Sequence, residues 1–199
     1  MSFSAPLFYN LSSSSSNNTM VASAVNSNGD IIIGARNSSG NLDLYSVASN
    51  LTAGANITNI FDMTGFLQVE DFNLSIGMND HIFIGAKSKA FRDSVNKYYP
   101  SAAVIRSDLS ETSSTMQFLT TTNYLMQPGT DQVKVIAHPS EDGAAFLAIT
   151  TNSNHYEDDA NGTAAGSGIP NQAHLAKIYQ NTSNFSQQIS FYDYQLDIA

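Results

Sequence analysis

The densest group of side chains able to bind a ligand lies in residues 87–101. Five of the eight basic residues fall in or beside this segment, with Phe91 and two tyrosines. Basic groups pair with carboxylates, and tyrosine offers a flat ring with a polar edge. The segment is predicted to be a solvated loop pinned by its aromatic residues, the alternative being a contact for an acidic glycan or partner. The candidate ligand-binding residues are Lys87, Lys89, Arg92, Lys97, Tyr98, Tyr99 and Tyr156.

An acidic segment lies further along the chain, just before Gly162. Carboxylate and amide oxygens on a glycine-bearing loop are the ligands that Ca²⁺ prefers. The spacing departs from the EF-hand pattern, so a solvated acidic loop is the alternative. The sequence therefore predicts no cofactor, with calcium as the alternative. The candidate metal ligands are Glu157, Asp158, Asp159 and Asn161.

Motifs of catalysis are missing from the sequence. It contains no G-x-S-x-G, no P-loop and no H-E-x-x-H. The adjacent carboxylates Glu70-Asp71 and Glu141-Asp142 are predicted to be solvated side chains in turns. The sequence therefore favours a protein that is not an enzyme. A hydrolase acting on glycans through carboxylates in a central channel is one alternative.

Asn-x-Ser/Thr triplets are more frequent than the composition alone predicts, which favours a glycosylated protein. Asn73 also begins such a triplet, but it falls in a predicted inner strand and is expected to be bare. The candidate glycosylation sites are Asn10, Asn17, Asn37, Asn50, Asn56, Asn161, Asn181 and Asn184.

Short strands must position all these residues, because the chain consists of β-prone runs separated by polar turns. Four such runs follow one another in residues 20–62, and the second is Ile31-Ile32-Ile33-Gly34-Ala35. β-Branched runs are typical of strands, and Asn28-Gly29 is typical of a hairpin turn. This stretch predicts a four-stranded antiparallel sheet.

Two further stretches repeat the pattern. Ile82-Phe83-Ile84-Gly85-Ala86 matches the second run of the first unit almost letter for letter, and Ala145-Phe146-Leu147-Ala148-Ile149 takes its place in the third. Spacings of about fifty to sixty residues are within known repeat periods. The sequence predicts one all-β domain with repeat units at 20–62, 71–120 and 132–193, and with residues 7–10 as the last strand of a preceding unit.

The units differ mainly between their second and third runs, where residues 87–101 and 150–174 are insertions. Phe91, Val95 and Tyr98 fall at i, i+4 and i+7 before Pro100, and this spacing predicts a short helix. Insertions in repeat proteins collect on one face, which is often the binding face. Both insertions are therefore predicted to be loops on the working face of the protein.

Four short strands per unit, with a polar turn before an apolar second strand ending in Gly-Ala, resemble the blades of β-propellers in general. The resemblance covers residues 20–193 and names no specific family, because the marks of the WD, kelch and Asp-box repeats are absent. It implies tandem four-stranded sheets, as a partial propeller or a blade array. Since propellers usually close with four to eight blades, it also implies a fragment or an assembly of copies. The alternative fold is a single β-sandwich or jelly roll.

Composition narrows the partners. The formal net charge of −9 disfavours nucleic acid, and the absence of cysteine excludes disulfides and thiolate sites. No apolar run is long enough for a transmembrane helix, so no membrane insertion is expected. The opening residues lack the pattern of a signal peptide. An extracellular or cell-surface location is favoured by the Asn-x-Ser/Thr triplets, with the cytoplasm as the alternative.

These observations favour a non-catalytic, secreted or cell-surface glycoprotein that acts as a recognition, adhesion or structural protein and can associate with itself. Its expected partners are copies of itself, the rest of a larger chain, or a glycan. The alternative is a carbohydrate-binding lectin in which Tyr98, Tyr99 and Tyr156 stack on sugars.

Overall fold

Three four-stranded antiparallel sheets form the described part of this computed structural model. Sheet one contains β1 (Asn18–Val25), β2 (Ile31–Asn37), β3 (Leu42–Val47) and β4 (Ala53–Ile60). Sheet two contains β5 (Leu67–Ile76), β6 (Ile82–Arg92), β7 (Val95–Ile105) and β8 (Phe118–Thr120), with a 3-10 turn at Met78–Asp80. Then come β9 (Val133–Ala137), β10 (Ala144–Thr151), a hairpin of β11 (Tyr156–Glu157) and β12 (Ala164–Ala165), β13 (Gln172–Tyr179) and β14 (Ser190–Leu196).

Sheet three consists of β9, β10, β13 and β14, and in every sheet the strands pair in chain order. The structure describes residues 18–61, 67–92, 95–110, 118–120, 126, 131–151, 156–157, 164–165, 172–183 and 190–196. The predicted strand at residues 7–10 lies outside them.

The two hairpin turns that follow β1 and β2 have the same structure, and each is built around an asparagine side chain. The Asn26 side-chain oxygen accepts the backbone N–H groups of Asn28 and Asp30, and Gly29 then adopts φ +83°. The Asn37 side chain makes the corresponding bonds one hairpin later, before Gly40 at φ +85°. Asparagine mimics a backbone turn and glycine tolerates positive φ, so this local chemistry fixes where each strand ends.

The sheets pack in series, because β1 contacts β5 and β5 contacts β9. We call these first strands the inner strands. The front face of a sheet is the side toward the next sheet in the chain, and the back face is the opposite side. One apolar core lies between sheets one and two, and another lies between sheets two and three. Serial four-stranded sheets with neighbouring inner strands make the fold propeller-like, and they differ from the two facing sheets of a β-sandwich.

The second strands occupy equivalent places, as their matched sequences predict. We number the positions of each second strand from the residue that pairs with the last residue of the inner strand. Position one is then Ile31, Ile82 or Ala145. Position four is then Gly34, Gly85 or Ala148. A Cβ atom at Gly34 would lie 2.6 Å from the Phe72 ring of the next sheet, so glycine there permits close approach of the two sheets.

The predicted helix in residues 91–99 is wrong. β6 and β7 continue to pair through Lys89↔Tyr98 as far as Arg92↔Val95, so this insertion is a long hairpin and only residues 93–94 separate its strands. A segment of this length is too short to gain from helix nucleation, whereas each residue added to an existing ladder gains a paired neighbour. Valine and tyrosine also favour strands.

Candidate functional site

The residue at position six of the second strand connects sheet one to sheet two and sheet two to sheet three. In sheet one the Arg36 Nε donates to the Val69 carbonyl of β5. In sheet two the Lys87 Nζ donates to the Asp131 carbonyl, 2.9 Å away, in the connection that enters β9. At both sheet junctions, therefore, a basic side chain binds the backbone of the following sheet. Sheet three has Thr150 at this position.

Lys87 is the centre of a polar junction between sheets two and three, which we define as Glu70, Lys87, Tyr98 and Asp131. The Lys87 side chain is only 3% exposed, and its Nζ lies 3.2 Å from the Glu70 Oε2 without the alignment of a hydrogen bond. A β-bulge between Val69 and Asp71 contains Glu70. Bulges turn a side chain away from the regular pleat, and this one accompanies the approach of Glu70 to Lys87.

Tyr98, like Glu70, is a half-buried member of this junction. Burial, and next the negative charge of Glu70, raise the pKa of its phenol above the ordinary value. The phenol is therefore a protonated hydrogen-bond donor at neutral pH, beside a carboxylate that can accept. Lys89 pairs with Tyr98 across the hairpin. An aromatic ring with a donor, an acceptor and a cation nearby is suited to a polar ligand such as a sugar.

The structure separates the other predicted ligand-binding residues. Tyr99 is 1% exposed, so its ring is part of the interior and cannot be a stacking platform. Lys87 is likewise buried and already engaged. Lys97 pairs with Ala90, and Arg92 pairs with Val95, near the end of the hairpin. Tyr156 belongs to the separate two-stranded hairpin of β11 and β12. Of the predicted set, Lys89 and Tyr98 are paired neighbours.

The predicted calcium site lies mostly outside the described residues. Glu157 pairs with Ala164 in the small hairpin, whereas Asp158, Asp159 and Asn161 are not among the residues described. Within the described ranges, no group of three or more histidine or acidic side chains is placed to hold a metal ion.

At the opposite end of the sheets, the turns between first and second strands are linked in series. Ser27 donates its backbone N–H and its hydroxyl to the Asp80 carboxylate, at 2.8 and 2.5 Å. Asp142 of sheet three lies 2.9 Å from the Asn79 amide and 2.7 Å from the His81 ring, both in the turn of sheet two. Each turn thus contacts a carboxylate of the following turn.

Asp142 is the most heavily bonded carboxylate of these turns. Burial alone would raise its pKa, but hydrogen bonds from Asn79, His81 and Thr182 outweigh burial and hold the pKa below its ordinary value. The carboxylate therefore stays ionised in the folded chain at pH values where an exposed aspartate begins to protonate.

The prediction that the paired carboxylates are merely solvated is wrong for Glu70 and Asp142, because both are partly buried and engaged, Glu70 beside Lys87 of its own sheet and Asp142 against His81 of the preceding sheet. The sequence contains a signal for the contact that the basic residue at position six makes with the next sheet. The matched second runs extend one residue further, to Ile-Ile-Ile-Gly-Ala-Arg and Ile-Phe-Ile-Gly-Ala-Lys. A shared basic residue at one strand position indicates a shared contact, and buried basic residues need acceptors.

The candidate glycosylation sites differ in their surroundings. Asn50 is exposed in the turn between β3 and β4, and Asn56 is exposed on β4. Asn37 and Asn181 are half-buried, and each accepts a hydrogen bond from the backbone N–H two residues on. Asn73 accepts from the Val135 N–H of β9 at 3.1 Å, which places it inside a sheet junction. Asn10, Asn17, Asn161 and Asn184 lie outside the described residues.

In the part of the chain that the structure describes, no helix has the length and hydropathy of a membrane span.

Comparison with known proteins identifies structural likeness only. No protein-family profile matches the sequence, and no curated protein matches it either. The crystal structure of an ACO/RPE65 chimera is similar with a TM-score of 0.45 at 10% identity, covering 86% of this chain and 36% of that one. The Nup133 β-propeller domain of Vanderwaltozyma polyspora is similar with a TM-score of 0.44 at 8% identity, covering 88% of this chain and 47% of that one. This chain spans less than half the length of either structure.

Proposed function

We propose that this chain is a non-catalytic recognition or structural module of the extracellular space or the cell surface. The observation that supports this proposal is that charged side chains of the chain connect one sheet to the next. Arg36 and Lys87 bind backbone carbonyls of the next sheet, and Asp80 and Asp142 bind the preceding turn. These groups hold the sheets in series, which is the task of a scaffold.

The exposed Asn-x-Ser/Thr triplets support the location. Asn50 is exposed in the turn between β3 and β4, away from both faces of sheet one, and Asn56 is exposed on β4. A surface module commonly carries glycans in such places.

A lectin is the second candidate, and Tyr98 is the residue that favours it. Its ring is half-buried, its phenol is protonated at neutral pH, and Glu70 and Lys89 lie beside it. Sugars are bound by this combination of a flat apolar surface and directed hydrogen bonds.

A glycan array probed with the full chain tests both candidates. If the chain is a lectin, Tyr98→Ala is expected to weaken binding about tenfold, which corresponds to ~1.4 kcal/mol. Tyr45→Ala, in sheet one and away from the junction, is the matched control and should leave binding unchanged. Absence of binding to any glycan would remove the lectin and leave the structural role.

Incubation with a panel of glycosides tests the non-catalytic part of the proposal. No release of sugar is expected. Turnover by the natural chain that disappears in Glu70→Gln, while Asp108→Asn retains it, would contradict the proposal and favour the hydrolase.

A further inference from the structure

The back face of sheet one carries the same residues as a face that is buried elsewhere in the chain. Positions one, three and five of a second strand point to the back face. In sheet two these positions are Ile82, Ile84 and Ala86, all buried against sheet one. In sheet one they are Ile31, Ile33 and Ala35. The same three residue types in the same register predict the same use, which is to be covered by another sheet.

That cover is incomplete at the inner strand of sheet one. Val21 and Val25 pair with Ala35 and Ile31, and therefore lie on the back face. They are 57% and 62% exposed, whereas Phe72, the equivalent of Val21 in sheet two, is buried. Large exposed apolar residues grouped on one sheet face indicate an interaction surface.

The front face of sheet three is also exposed, and it is the kind of face that packs on a back face elsewhere in the chain. Positions two, four and six of its second strand are Phe146, Ala148 and Thr150, where sheet two has Phe83, Gly85 and Lys87. Ala148 is exposed, whereas Gly85 is buried under sheet three. Ile136 and Tyr179 belong to the same front face and are 64% and 38% exposed.

The two open faces also fit each other in size. At the junction of sheets two and three, a Cβ atom at Gly85 would lie 3.1 Å from Val135, so any larger residue there would require its neighbours to shift. Ala148 adds one methyl group at the corresponding place. Val135 pairs with position three of its second strand, and the residue at that place in sheet one is Ser23. Serine is smaller than valine, so it leaves space for the methyl group of Ala148.

We propose that a second copy of this chain docks here, with the front face of sheet three in one copy packed on the back face of sheet one in the other. The inference specifies the partner of the structural role proposed above and rests on that role. Each chain carries both halves of the contact, so the interface is heterologous. If the contact forms twice, two chains with three sheets each close a ring of six sheets, within the usual range of about four to eight.

Sedimentation or light scattering across a concentration series tests the proposal. The natural chain is expected to reach the mass of two or more chains. Val25→Lys blocks the back face and Ile136→Lys blocks the front face, and each variant alone should have the mass of one chain. An equimolar mixture of the two should recover a complex of two chains, because each variant retains one intact face. Met78→Lys, at an exposed apolar residue in the turn between β5 and β6, is the matched control and should associate like the natural chain.

A second pair of variants, Val21→Lys and Tyr179→Ser, guards against the failure of one variant to fold, which circular dichroism detects. A natural chain that keeps the mass of one chain at all concentrations would overturn the proposal. So would association that survives both face variants, or a mixture that stays monomeric. A monomer that binds glycans or cleaves no glycoside leaves the proposed function standing, so the two failures are distinguishable.

Discussion

Lys87 uses both parts of its side chain, since its apolar stem is buried between sheets and its ammonium group binds Asp131 and lies beside Glu70. Lys87→Met keeps the stem but leaves the Asp131 carbonyl and the partly buried Glu70 without their partner. We expect the free energy of unfolding to fall by about 1–3 kcal/mol, the usual cost of an unsatisfied buried group. Urea unfolding measures this change.

Lys89→Met is the matched control, because Lys89 lies two residues further on the same strand and is only half-buried. It is expected to change stability by about 0.5 kcal/mol or less. Equal losses in the two variants would show that Lys87 has no special role at the junction.

The lowered pKa of Asp142 predicts a pH dependence of stability. A carboxylate whose pKa is lower in the folded chain contributes stability above its ordinary value of 3.8 and loses that contribution as the pH falls through the folded value. Asp142→Asn is therefore expected to be less stable than the natural chain near neutral pH and to approach it in acid. Asp108→Asn, in an exposed turn, is the control. A stability difference that is the same at all pH values would refute this assignment.

Asn50 and Asn73 are a matched pair for glycosylation in a host that adds N-linked glycans. Asn50 is exposed, and its side-chain amide oxygen accepts both the backbone N–H and the hydroxyl of Thr52. Asn73 bonds to β9 at a sheet junction, where a glycan would separate the sheets. Peptide mass spectrometry is expected to find a glycan on Asn50 and none on Asn73. The reverse occupancy is incompatible with the folded chain.

Glycine at position four of β2 sets how closely sheets one and two approach. Gly34→Ala places a Cβ atom 2.6 Å from the Phe72 ring, so the ring must move within a packed core. We expect a loss of about 1–3 kcal/mol, as is typical of overpacking. Thermal unfolding at low concentration measures it. Ala148→Val, at the exposed equivalent position of sheet three, is the control and should be tolerated.

Strands could be predicted from the sequence where the residue pattern within the strand itself determines the structure. The Ile31 and Ile82 runs could be placed in equivalent strands because their letters match. The helix over residues 91–99 was predicted wrongly because its local spacing says nothing about the ladder that β6 already offers. The basic residue at position six is visible in the matched runs, but the partners of Lys87 were beyond prediction, since the bulge at Glu70 and the carbonyl at Asp131 are distant in sequence and carry no motif.

The whole molecule is least exposed to solvent in its middle. Sheet two has one core on each face, whereas sheets one and three each have a face that no described core covers. Amide hydrogen exchange of the monomer, measured at low concentration, is therefore expected to be slowest in β6, and faster in β1 at the open edge of the series. Faster exchange in β6 than in β1 would contradict the serial arrangement.

The second strand of sheet two, β6, carries residues that pack on the preceding sheet and residues that pack on the following sheet. Ile82, Ile84 and Ala86 face backward, while Phe83, Gly85 and Lys87 face forward. Tandem duplication of the gene segment for residues 67–120 would therefore bring its own docking surfaces with it. In such a protein the front face of one copy would meet the back face of the next, which makes the segment a building block for engineered arrays.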